Sequence, residues 1–168
     1  MVYNNLVKEI LKLDGIIKPL TIDSSVTNGT GLCNPSLLYT NNELYMILRH
    51  VEYTLYVCEG EQKFQSRYEG PLSYYHRDDD LNLRTNNYFC TIDQTSLEIS
   101  NFNKIDTTEF DSKPQWNFVG LEDARLVNWN DKYFAVGVRR DTTHNGQGRM
   151  EFSELKIDKN NVTEAARN

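Results

Sequence analysis

Residues 119–141 read Val-Gly-Leu-Glu-Asp-Ala-Arg-Leu-Val-Asn-Trp-Asn-Asp-Lys-Tyr-Phe-Ala-Val-Gly-Val-Arg-Arg-Asp, and residues 148–155 continue Gly-Arg-Met-Glu-Phe-Ser-Glu-Leu. An acid pair, Glu122-Asp123, opens the stretch, and Arg125 follows at once. A strand-like run, the polar turn Asn130-Asp131 and a second apolar run then deliver Arg139, Arg140 and Asp141 together, with His144 close behind. Strand, tight turn, strand predicts a β-hairpin. Charge gathered at the strand ends is how an all-β scaffold presents a polar site.

The same pattern occurs earlier in the chain. Pro35-Ser36-Leu37-Leu38-Tyr39-Thr40-Asn41-Asn42-Glu43-Leu44-Tyr45 is echoed by Ala124-Arg125-Leu126-Val127-Asn128-Trp129-Asn130-Asp131-Lys132-Tyr133. Both copies run apolar into basic residues, Arg49-His50 in one and Arg139-Arg140 in the other. About ninety residues separate the copies, two blade lengths at the roughly 40–50 residues of a propeller repeat. Short strands without βαβ alternation support repeated antiparallel blades, with a generic β-sandwich as the alternative.

Composition agrees with a β-rich domain. The 168 residues suffice for one domain with its own core, and 39% hydrophobic with 25% charged residues is ordinary for a globular chain. Ten Tyr, seven Phe and two Trp favour pleated, half-buried surfaces. Tyr and Trp also line sugar sites, where the ring face stacks and the polar edge hydrogen-bonds; core packing is the commoner use of any single one.

The formal net charge of -6 argues against a nucleic-acid phosphate binder. No apolar run approaches a membrane span, and residues 1–5 lack a signal peptide's basic and apolar regions, so a cytoplasmic protein is expected. Cys33, Cys58 and Cys90 are odd in number and far apart, which predicts free, buried thiols rather than a disulfide or zinc site. His50 and His76 show no metal-ligand spacing either. Sequons at Asn28 and Asn161 are idle without secretion.

Along the chain, Leu6, Val7, Ile10 and Leu11 fall at helical spacing, with Asn4 or Asn5 as cap and Gly15 as stop. Residues 19–31 are expected as a loop, and strands are expected over 34–39, 44–48, 54–58, 88–92, 97–99 and 149–157. The segments 59–68, 74–80 and 106–114 are polar, and residues 158–161 make a turn. The expected organisation is an N-terminal helix and loop segment (1–31), a partial β-propeller of about three blades (32–158), and a tail (159–168).

The order Asn34-Pro35-Ser36, then residues 45–49, then Gly120-Leu121-Glu122-Asp123-Ala124-Arg125-Leu126, then Gly148-Arg149-Met150, resembles the five-bladed β-propeller glycosidases. The nearest likeness is to the mannoside phosphorylases and hydrolases of glycoside hydrolase family 130, over residues 32–157. Those proteins carry an Asn-Pro near the first blade and a Gly-x-Glu-Asp-Pro-Arg stretch, where this chain has Ala124 in place of the proline. The resemblance implies that Asp123, beside Glu122, occupies the general-acid position and protonates the leaving oxygen through a sugar hydroxyl. It implies inorganic phosphate as the nucleophile, held by Arg125, Arg139 and Arg140, with no other cofactor, and Asn34 and Arg49 in the sugar-contacting region. Asp141 and His144 complete the candidate substrate-binding set.

Each residue also has a plainer reading. Glu122, Asp123 and Arg125 can form a structural ion pair, and His144 can be a surface histidine. Arg139 and Arg140 alternate faces, so at most one points inward unless a bulge intervenes. A five-bladed propeller needs about 200–250 residues, so the open blades are expected to be covered by a homo-oligomer or by a further C-terminal domain. Three readings follow: a glycosidase or glycoside phosphorylase acting on mannose-type glycosides, a non-catalytic glycan-binding or scaffold module attached to or partnering a glycosyltransferase, or a purely structural β-domain.

Overall fold

The computed structural model describes residues 2–27, 30–57, 72–75, 80, 82–158 and 161–168. In chain order these form α1 (Val2–Lys12), a 3-10 turn (Ser24–Thr27), β1 (Leu32–Thr40), β2 (Glu43–Val51), β3 (Thr54–Val57), β4 (Leu72–Tyr75), β5 (Leu83–Ile92) and β6 (Ile99–Lys104). They continue with β7 (Phe118–Val119), β8 (Glu122–Trp129), β9 (Lys132–Arg139), β10 (Arg149–Asp158) and β11 (Asn161–Arg167). Cys58, the polar segments 59–71 and 76–79, the turn at 159–160 and the first sequon lie outside the described residues.

The strands make two antiparallel sheets. Sheet 1 has the order β1-β2-β5-β6, with β7 added in parallel against β5, and sheet 2 has the order β11-β10-β9-β8. An all-β chain is the result.

Side-chain alternation explains the stacking. Leu38, Tyr45, Ile47 and Phe89 of sheet 1 face Ala124, Leu126, Ala135, Leu155 and Val162 of sheet 2, with Ile105 and Leu121 closing the layer. The opposite face of sheet 1 gathers Met46, Leu48, Cys90 and Ile92 under Ile22, Leu97 and Phe102. Each buried aliphatic or aromatic side chain contributes about 1.5–3 kcal/mol, so these two layers dominate the fold.

The repeated stretch forms matched hairpins. Asn41 and Asn42 both take positive φ, as do Asn130 and Asp131, the geometry of a two-residue type I′ turn. A β-bulge precedes the turn in each first strand, between Cys33 and Ser36 in β1 and between Glu122 and Arg125 in β8. The bulges hold Asn34 at φ 50° and Asp123 at φ 52°, a left-handed conformation that Asn and Asp tolerate better than other side chains. Asn34 and Asp123 are 89 residues apart, and the turn residues keep the same spacing.

The ninety-residue spacing relates a hairpin of sheet 1 to a hairpin of sheet 2, and the β3–β4 hairpin lies between β2 and β5 in the chain. The described strands give a five-stranded sheet, a four-stranded sheet and the two-stranded β3–β4 hairpin. Residues 161–167, expected as tail, pair with β10 as the outermost strand of sheet 2 and bury Val162 and Glu164. The helix forms as its spacing predicts but already includes Asn4 and Asn5, which were expected to cap it, and Gly15 ends it by donating its amide to the Ile10 carbonyl at 2.9 Å.

Candidate functional site at the seam of the two sheets

The two bulges meet. A bulge leaves a residue outside the ladder and re-aims its side chain. Here both re-aimed side chains converge: the Asn34 amide Nδ2 donates to Asp123 Oδ1 across the seam. Ser36, just past the first bulge, accepts at Oγ from the Leu126 amide at 3.1 Å, and Arg125 Nη1 donates to the Pro35 carbonyl at 3.3 Å. Sequence neighbours of one bulge thus hold the backbone of the other.

Arg49, opposite Cys33 in β2, ties the cluster together. Its Nη1 lies 2.8 Å from Asp123 Oδ1 and its Nη2 3.0 Å from Glu122 Oε2. The same guanidinium donates to Thr85 Oγ1 and to the Tyr53 hydroxyl at 3.2 Å. With its side chain 10% exposed, Arg49 is a buried charge answered by two carboxylates and two hydroxyls. Arg140 Nε reaches the other Glu122 oxygen at 3.2 Å, and its Nη1 donates to the Gly146 carbonyl. Glu122 is therefore bracketed by two arginines, whereas the Asp123 side chain stays 50% exposed at the opening of the seam.

Partial burial pushes the Asp123 carboxyl up, but hydrogen bonds from Asn34 and Arg49 and the charges of Arg49 and Arg125 outweigh it. The carboxyl is held below its usual range, so Asp123 is an anion and a pure acceptor at neutral pH. Arg49 carries its charge despite burial, which opposes it, because Tyr53, Asp123 and Glu122 favour the cation.

The remaining candidates separate from this cluster. Arg139 points between the sheets, where its Nε lies 2.9 Å from Glu151 Oε2 and its Nη1 3.5 Å from Asp141 Oδ2. The Arg139–Glu151 approach lacks hydrogen-bond alignment at Nε. Asp141 Oδ2 accepts from the Gly120 amide at 3.2 Å and so pins the segment leading into Glu122. Arg139 also lines an inter-sheet cavity of about 70 Å³ with Thr85, Asn87, Ser153 and Glu164. His144 is exposed on the β9–β10 loop and makes no described contact with the cluster. The structure thus brings together Asn34, Arg49, Glu122, Asp123, Arg125 and Arg140. Thr85 and Tyr53 join them without any sequence signal, since β-sheet pairing alone carries Thr85 beside Arg49.

No group of three or more His, Cys, Asp or Glu among the described residues is arranged to hold a metal ion. No helix among them is long and apolar enough to cross a membrane. Searches of family models, curated proteins and solved structures find nothing that matches this chain.

Proposed function

We propose that the chain is a carbohydrate-binding domain whose two sheets are consecutive blades of the five-bladed glycosidase type. In this reading the Asn34–Asp123 pair, backed by Arg49, contacts the sugar. One observation carries it: two matched bulges present an amide and a half-exposed carboxylate side by side at the mouth of the seam. A carboxylate accepts hydrogen bonds from vicinal hydroxyls, and the neighbouring amide donates to a third. That is the mixed acceptor and donor set that sugar hydroxyls require. Mannose-type glycosides are the first ligands to try.

A second reading is catalysis, with Asp123 as general acid and phosphate as nucleophile. Arg125 and Arg140 favour it, because both guanidinium groups flank the carboxylates and a guanidinium fork matches phosphate. Acid catalysis, however, requires a proton on Asp123, and the Arg49 contact opposes protonation. Binding without turnover is therefore placed first.

The test is proton NMR of the chain with manno-oligosaccharides, with and without inorganic phosphate, beside an Asp123→Asn variant. Saturation transfer to the sugar without new anomeric signals is the expected result. New phosphate-dependent anomeric signals that vanish in the variant would replace binding by phosphorolysis. Absence of both would remove the carbohydrate assignment.

A further inference from the structure

Two apolar surfaces of this chain lie uncovered, one on a helix and one on a sheet. In α1, Leu6, Val7, Ile10 and Leu11 share one side, and Lys8, Glu9 and Lys12 hold the other. Leu6 and Leu11 are 59% and 55% exposed, and Leu13, Ile16 and Ile17 continue the exposed apolar run. α1 packs against no strand among the described residues. On the outer face of sheet 2, Val136 and Val138 of β9 stand opposite Phe152 and Met150 of β10. Met150 is 68% exposed, and Phe134 meets Phe152 edge to face with ring centroids 6.0 Å apart.

Charge and width decide what can cover that face. Arg125 lies exposed opposite Val136 on β8, the edge strand of the sheet, with its Nη1 on the Pro35 carbonyl at 3.3 Å. A second sheet laid flat would cover β8 as well and bury this guanidinium. A helix is about 10 Å wide with its side chains, and neighbouring strands lie about 4.8 Å apart. One helix along β9 and β10 therefore covers Val136, Val138, Met150 and Phe152 and leaves Arg125 at its flank. The strip from Phe134 to Val138 runs about 14 Å. An eleven-residue helix such as α1 is about 16 Å long.

α1 cannot supply that helix to its own sheet 2. Lys18 Nζ donates to the Ser96 carbonyl at 2.8 Å, and Ile22 packs against Met46 and Leu48, so residues 18–22 run across the far side of sheet 1. Layers stacked about 10 Å apart put a helix on the outer face of sheet 2 about 30 Å from that segment. Residues 13–17 reach at most about 18 Å.

We propose that α1 of one copy docks on the β9–β10 strip of a second copy, which returns its own helix to give a two-fold dimer. Two copies side by side, with their layers in opposite order, bring each helix level with the other's strip. An apolar helix stripe on an apolar sheet face is one of the stable layer pairings. Each contact covers on the order of 400 Å² on either side, so the exchanged pair buries about 1,600 Å², the standard size of a specific interface. The dimer does not rest on the sugar reading, since none of the residues that the helix covers contacts the Asn34–Asp123 pair.

Sedimentation equilibrium from micromolar to near-millimolar concentration reads the association. A monomer–dimer equilibrium is expected, with its association constant lowered at least tenfold in the helix variant Leu6→Glu/Leu11→Glu and equally in the strip variant Phe152→Glu. Far-UV circular dichroism should stay unchanged in both, because these side chains are exposed. Leu37→Glu, on the far face of sheet 1, should leave the dimer intact. Mixing the two defective variants is the sharper test, because the helix variant keeps a sound strip and the strip variant keeps a sound helix. Unlabelled Phe152→Glu added at near-millimolar concentration to the helix variant, labelled at its methionine methyls, should shift the Met150 resonance. Adding more of the helix variant should not. A strictly monomeric wild type would overturn the proposal and leave the helix to another partner. Loss of association in only one of the two variants, or an unmoved Met150 resonance in the mixture, would overturn the exchange of helices.

Discussion

Replacing Arg49 with methionine keeps the apolar stem of the side chain while removing a charge that joins the two sheets. The guanidinium holds Glu122 at 3.0 Å and Asp123 at 2.8 Å, and donates to Thr85 and Tyr53. Breaking a buried ion pair by removing one partner costs about 3–5 kcal/mol, because the other charge stays behind. Here the cost is reduced twice. Glu122 keeps Arg140, and the exposed half of Asp123 is returned to water. A loss of about 2–3 kcal/mol is expected, a large share of the roughly 5–15 kcal/mol of a typical domain. For a chain of this size it lowers Tm by roughly 5–10 °C. Urea unfolding followed by circular dichroism measures the loss, and Glu122→Gln placed alone and with Arg49→Met completes a double-mutant cycle. Coupling of about 1–2 kcal/mol is expected between residues that share a hydrogen bond. A loss below about 1 kcal/mol, or strictly additive effects, would show that Arg49 does not grip the seam.

Other perturbations read other parts of the molecule. Burial pushes the His50 imidazole below its ordinary value, with Lys104 adding to the effect while Glu52 and the Thr27 backbone oppose it. The unfolded chain therefore binds more protons, so the His50 contribution is fully present above about pH 6.5 and is lost as pH falls. The urea midpoint is expected to drop between pH 7 and 5.5, and a His50→Gln variant that drops equally would refute the assignment. Gly146 takes φ +64° with the Trp116 ring directly over it, where an added Cβ would stand 2.2 Å from Nε1. Gly146→Ala is expected to cost about 2–3 kcal/mol and to loosen the carbonyl that holds Arg140, measured by the same unfolding assay. Burial pushes the Cys90 thiol up to about 12. Cys90 should therefore resist alkylation at pH 8 until the chain unfolds, and its rapid labelling in native buffer would contradict the core described here.

The repeated hairpin was legible because its markers are local. Asn41-Asn42 and Asn130-Asp131 carry the chemistry of tight turns, and period-two alternation around them fixes strand faces. The meeting of Asn34 with Asp123 was only half legible. A left-handed Asn before proline or Asp before alanine leaves no mark distinct from a loop; the family resemblance singled out both residues, but nothing in the sequence put them in contact. The β11 strand was illegible for another reason. Its sequence, Asn-Val-Thr-Glu-Ala-Ala-Arg, buries Glu164, whose carboxylate accepts from Ser153 and Arg167. A buried acid breaks the apolar alternation that identifies a strand. Arg139 and Arg140 alternate as neighbouring strand residues do, one between the sheets and one toward Glu122.

The side-chain amide of Asn34 reports directly on the central claim, since its Nδ2 donates to Asp123, the carboxylate proposed to contact the sugar. Titrating a manno-oligosaccharide into the nitrogen-15-labelled chain should shift the Asn34 side-chain amide and Arg49 Nε–H resonances along one saturable curve. The same titration of Asp123→Asn should leave them still. Shifts confined to residues away from the seam, or none at all, would contradict the account.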